Sequence, residues 1–202
     1  MYASAVEIAG FVDPTRLYSR AEVLARPSPV PAAGGVYGWW FGSLPPRVDA
    51  SRCLQHDGLV LLYVGVSPRR PPGRGQQVNR QTLRTRLRTH YAGNAEGSTL
   101  RKTLGCLLSH ELAIELRRVG SGQRRTFALG EQALSAWMGQ HGGSTAVPVI
   151  ILCDHRPGRS GHRPPLVRLA MAMNAAALWN PRARVVRAAS CVFVPSARAL
   201  LR

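Results

Sequence analysis

Acid is scarce in this chain. Ten aspartates and glutamates stand against 27 lysines and arginines in 202 residues, a formal charge of +17 at neutral pH. That imbalance points to an anionic partner, with nucleic acid ahead of anionic lipid or a merely basic surface. Lysine is nearly absent as well: Lys102 is the single one. The arginine bias fits a GC-rich gene, so residue type alone marks no arginine as a phosphate ligand. Cysteines occur only at 53, 106, 153 and 191, with no C-x-x-C pair and no zinc spacing to His110, His141, His155 or His162. That argues against a structural zinc site. In a chain this long, reduced thiols of a cytoplasmic protein are expected rather than a disulfide scaffold. Long apolar runs are missing too. The stretches 59–66 and 146–153 fall far short of the roughly 20 residues that span a bilayer, and Glu7 and Asp13 interrupt the start. Neither a signal peptide nor a membrane partner is expected.

Hydrophobic residues make up 45% of the chain, enough for the core of one main domain. Residues 1–34 end in the run Arg26-Pro-Ser-Pro-Val-Pro-Ala-Ala-Gly-Gly35 and read as a lead-in or linker. Ser19, with Glu22 three positions on, predicts a short capped helix over 19–25. Residues 35–42 and 59–67 are rich in Val, Leu, Tyr, Trp and Phe and predict strands. A long connection lies between them. Residues 68–81 form a Pro/Gly loop carrying Arg69, Arg70, Arg74 and Arg80. Leu83 and Leu87 predict a basic helix over 81–91, stopped by Gly93-Asn94. Ser98 caps a second helix over 99–109. Residues 111–119 fit either a strand or a continuing helix. Residues 125–129 read as a short strand, and a helix runs from 130 to 141. Trp39, Trp40 and Trp137 read as core. From 142 to 202 the chain is Arg-, Ala- and Pro-rich with Asp154 as its one acid. Its one helical candidate is 166–178. Two accounts fit this composition: a basic functional segment, or a shifted reading frame in a GC-rich gene.

Two tripeptides carry the functional signal: Gly35-Val36-Tyr37 and Tyr63-Val64-Gly65, each within a predicted strand. They are followed by Leu83-x-x-Arg86-Leu87-x-x-His90 and then by Glu131 at the opening of a helix. Over about 34–141 this order resembles the GIY-YIG nuclease family. The stretch 91–104 looks like an actinobacterial branch of it. The resemblance implies an α/β fold, a small antiparallel β-sheet flanked by helices over 35–141, with an irregular basic tail over 142–202. It implies a metal-dependent endonuclease hydrolysing DNA phosphodiester bonds. The alternatives are a non-catalytic nucleic-acid-binding module on the same fold and a basic structural partner of RNA.

By that resemblance Tyr37 deprotonates or orients the attacking water and Tyr63 hydrogen-bonds the water or phosphate. Arg86 binds the scissile phosphate. His90, four residues on and therefore on the same helical face, assists at the phosphate or leaving group. Glu131 holds Mg²⁺, or Mn²⁺, largely through one carboxylate and the substrate. Arg84 and Arg88, with Ser98, Thr99, Arg101 and Lys102 at a helix start, are expected to contact the DNA backbone. The asparagine that closes such domains has only Asn180, and more distantly Asn174, as counterparts here.

Overall fold

The computed structural model describes residues 10–51, 53–68, 81–120 and 122–148. The loop arginines 69, 70, 74 and 80, the asparagines 174 and 180, and the helix expected over 166–178 lie outside the described residues.

The framework is a four-stranded antiparallel sheet flanked by helices. Strand β1 is Gly35–Phe41, β2 is Gln55–His56, β3 is Leu59–Ser67 and β6 is Gly142–Pro148, and the spatial order is β2-β3-β1-β6. β1 sits centrally, and all seven of its residues are buried. That accounts for its continuous apolar sequence: a strand covered on both faces has no polar face to show. Tyr37, Trp39 and Phe41 join the main core beneath the helices. On the opposite face, the Phe11 ring closes over Gly38. Trp39, Trp40 and Trp137 are all buried, as core residues should be. β6 pairs with β1 along its whole length, from Gly35 opposite Pro148 to Phe41 opposite Gly142. The sheet therefore gains a strand from residues that the composition groups with the tail.

Helix α1 is Arg20–Leu24, and Ser19 and Glu22 form the capping box that the sequence predicts. Helix α2 is Leu83–Ala92, capped by Thr82 with Thr85 in a second reciprocal box. Helix α3 is Thr99–Leu107, with Ser98 as its cap. The open alternative over 111–119 resolves into turns followed by a two-residue strand. β4, Arg117–Arg118, pairs with β5, Arg125–Thr126, in a separate hairpin. Helix α4, Gly130–His141, leads directly into β6. Cys106 is a free thiol.

Two arginines of α2 serve this framework instead of a ligand. Arg88 Nε donates to the Val23 carbonyl (3.2 Å), and its Nη2 donates to the carbonyls of Leu24 (2.6 Å) and Ala25 (3.2 Å). The last carbonyls of α1 have no intrahelical donors, so a cation there satisfies them and complements the helix dipole. Arg84 Nε likewise donates to the Val30 carbonyl at 2.8 Å. Both side chains tie the N-terminal segment to α2.

Arg88→Ala should destabilise the domain by about 1.5–3 kcal/mol, the range for hydrogen bonds to a charged group. Urea unfolding of the purified variant checks this, and an unchanged midpoint would show that the contacts are idle.

Candidate active site

The register of β1 and β3 brings the two tyrosines together. Tyr37 lies opposite Gly65, and Trp39 lies opposite Tyr63. Tyr63 is thus the diagonal neighbour of Tyr37 on the same face of the sheet, with ring centroids 6.3 Å apart. The glycine opposite Tyr37 is a packing requirement. A Cβ at position 65 would fall within the space of the Tyr37 ring. The Tyr-x-Gly spacing therefore combines one functional side chain with the gap its partner needs.

Helix α2 crosses this face. Its four-residue spacing aims both Arg86 and His90 at one atom. Arg86 Nε donates to Tyr37 Oη at 3.1 Å, and His90 Nε2 lies 2.9 Å from the same oxygen. Arg86 Nη1 is held by the Gly97 carbonyl at 2.9 Å. On the far side of the imidazole, His90 Nδ1 is 2.7 Å from Ser98 Oγ. Tyr63 completes the group, its ring 5.8 Å from that of His90. Tyr37 is only 1% exposed and His90 not at all, while Tyr63 and Arg86 are half-buried. Any ligand would meet Tyr63 and Arg86 first.

The electrostatics follow from this depth. Burial, and next the neighbouring Tyr63, pushes ionisation of the Tyr37 phenol above its ordinary range, despite the opposing pull of Arg86. Burial holds His90 well below the usual imidazole value, and the Arg86 and Arg101 cations add to the effect. His90 is therefore a neutral imidazole in the folded protein.

Glu131 stands apart from this cluster. Its Oε1 accepts the backbone N–H groups of Ala95 (2.8 Å) and Phe127 (3.1 Å), and its Oε2 accepts Arg101 Nε (3.0 Å) and Nη2 (2.6 Å). Arg101 is fully buried. Its remaining N–H groups reach the carbonyls of His90, Tyr91 and Glu131 and the Ser135 hydroxyl. An ionised carboxylate offers about four lone-pair positions, and here all four are taken. The site does not fit Mg²⁺ or Mn²⁺: a dication on Glu131 would also have to sit beside a guanidinium. This corrects the expectation that Glu131 is open to metal. Arg101 and Ser98 are likewise corrected as DNA contacts, since both are wholly buried. Thr99 and Lys102 keep partial exposure on α3. Ser135 is a member of this network that the sequence reading missed. Its one cue is the four-residue spacing from Glu131, whose carbonyl it bonds at 2.8 Å.

A central strand and its neighbour that present paired tyrosines to an Arg-x-x-x-His helix form a nuclease-type catalytic domain. The family model of the GIY-YIG catalytic domain matches residues 35–142, more than half of the chain. The chain belongs to the GIY-YIG family, which implies a nucleic acid substrate. No curated protein and no solved structure matches it. Among the described residues, no helix is long and apolar enough to cross a membrane.

Two outcomes follow from this geometry. Glu131→Ala leaves the Arg101 guanidinium buried without its counter-ion and should cost about 3–5 kcal/mol of stability, read from denaturant unfolding. A loss below about 1 kcal/mol would mean that the pair is not structural. The second outcome concerns pH. Folded His90 stays neutral, whereas the unfolded chain takes up a proton below about pH 6.5. Its contribution to stability is therefore complete above that pH and is lost as pH falls, at up to about 1.4 kcal/mol per pH unit. Unfolding free energies between about pH 7 and 5 should show this slope, and His90→Gln should flatten it.

Proposed function

We propose that this chain is a cytoplasmic endonuclease that hydrolyses DNA phosphodiester bonds with the cluster formed by Tyr37, Tyr63, Arg86 and His90. The observation that carries this reading is the convergence of Arg86 Nε and His90 Nε2 on Tyr37 Oη. The phosphate docks at the outer edge of the cluster, against Arg86 and the Tyr63 hydroxyl. There a fixed guanidinium meets the charge that develops as water attacks phosphorus. The water is oriented by the tyrosine pair, gives its proton to the Tyr37 phenolate and forms the new P–O bond as the P–O bond to the leaving oxygen breaks, and that oxygen takes its proton from solvent. Arg86 Nε donates to Tyr37 and stabilises that phenolate, and burial opposes it, so activation is uphill at neutral pH. GIY-YIG nucleases generally use divalent metals. No step here is routed through one, because Arg101 and two backbone amides fill Glu131. Lys102 and Thr99 extend the contact with the DNA backbone. The catalytic unit runs from 35 through β6, with residues 1–34 as lead-in.

The same depth of burial favours a second reading. Tyr37 at 1% exposure and a saturated Glu131 suit a nucleic-acid-binding module that does not cleave.

Nicking of supercoiled plasmid with Mg²⁺ present, by wild type, Tyr37→Phe and Arg86→Ala, separates the two. The nuclease reading expects nicking by wild type, no measurable nicking by Tyr37→Phe, and a loss of about 10²–10³-fold in Arg86→Ala, as for removal of one charge-stabilising donor. It also expects the rate to rise about tenfold per pH unit from about pH 7 to about pH 9, since the phenolate fraction grows with pH below a raised pKa. Salt-sensitive plasmid binding with no nicking would instead support the module.

A further inference from the structure

Which ring nitrogen of His90 carries the proton decides what Tyr37 can do. If Nδ1 carries it, Nε2 accepts the Tyr37 hydroxyl proton, and His90 is placed to act as a base. If Nε2 carries it, His90 donates to Tyr37 Oη alongside Arg86. The distances of 2.9 Å and 2.7 Å fit both. The choice is made one residue further out, at Ser98.

Ser98 is completely buried. As the cap of α3, its Oγ accepts the Arg101 backbone N–H at 3.1 Å. Its own proton must then find an acceptor. Among the described residues, the only other hydrogen-bond contact of this hydroxyl is His90 Nδ1. A buried hydroxyl left without an acceptor costs about 1–3 kcal/mol. Donation to Nδ1 avoids that cost and forces the ring proton onto Nε2. Tyr37 Oη then receives two N–H donors, and its own proton turns away from His90, toward Tyr63.

We propose that Ser98 is a positioning residue: its buried hydroxyl fixes His90 as the Nε2–H tautomer, so that Arg86 and His90 both donate to Tyr37 and leave the Tyr37 O–H facing the reaction. His90 is then an orienting donor to the phenolate and not the base that removes the Tyr37 proton. The catalytic consequence rests on the nuclease reading given above. The tautomer does not.

The first test is the long-range ¹H–¹⁵N spectrum of the wild-type histidine rings near pH 7.5, with His90 assigned by loss of its signals in His90→Gln. Protonated Nε2 with a hydrogen-bonded, unprotonated Nδ1 supports the proposal, and protonated Nδ1 overturns it. This readout holds whether or not the protein cuts DNA. The second test is steady-state nicking by Ser98→Ala and Ser98→Thr, with thermal unfolding as the check on folding. The expected result is a fall in kcat of about 10–100-fold in Ser98→Ala, the usual loss when a group that orients a histidine is removed, with KM unchanged and kcat restored in Ser98→Thr. A rise in KM with kcat intact would make Ser98 a DNA contact and overturn the proposal. A third variant separates donor from base. His90→Gln keeps an N–H for Tyr37 and an acceptor for Ser98, so it should nick more slowly than wild type but measurably faster than His90→Ala. Its complete inactivity in a folded protein would return His90 to the role of base.

Discussion

A guanidinium with no access to water must find an acceptor for each of its five N–H groups, and Arg101 finds them on two other helices. It bonds the carbonyls that end α2, the carboxylate and carbonyl of Glu131 at the start of α4, and Ser135 one turn further along α4, while its backbone starts α3. Once that ion pair forms, the end of α2, the first turn of α3 and the opening of α4 are fixed relative to one another. The cap Ser98 sits three residues before Arg101 and so is fixed as well, and His90 lies against it. The tyrosine cluster therefore rests on a network that meets it at the His90 carbonyl and, through Ser98, at the His90 ring. Burial makes the arrangement specific: an unpaired charge there is far more costly than a paired one, so alternative packings of these helices are penalised.

Within the cluster, the main constraint is depth. Tyr37 gains hydrogen bonds to Arg86 and His90 by lying under α2, but the same burial resists its ionisation. Arg86 is the member that bridges the two environments. One edge of its guanidinium holds the phenol and the Gly97 carbonyl, and the residue keeps partial exposure. The protein thus separates a buried proton site from a more open phosphate-facing edge only a side chain away.

The sequence expectation and the structure part company over the arginines and the acid. All the arginines of α2 look alike in sequence, since each is one more cation on a basic helix. The turn on which each falls decides its use: Arg86 reaches Tyr37, whereas Arg84 and Arg88 reach carbonyls of the N-terminal segment. Arg101 looked like a phosphate contact because it follows a cap residue at a helix start, yet it points inward. Glu131 looked like an open carboxylate because its position at a helix N-terminus is common to ligands and to structural acids. Nothing in the local sequence says that Arg101, 30 residues earlier, will occupy it.

Local sequence was enough to set the strands carrying Tyr37 and Tyr63, the caps at Ser19 and Ser98, and the pairing of Arg86 with His90 on one helical face. Each of these depends on local periodicity, on a cap residue beside its helix, or on a glycine that leaves room for a ring. That residues 142–148 complete the sheet, that Ser98 meets His90 and that Arg101 closes on Glu131 emerged in the folded molecule alone. Those outcomes come from contacts between distant segments, where burial and the need to satisfy every buried N–H and O–H choose among side chains that the local pattern cannot tell apart.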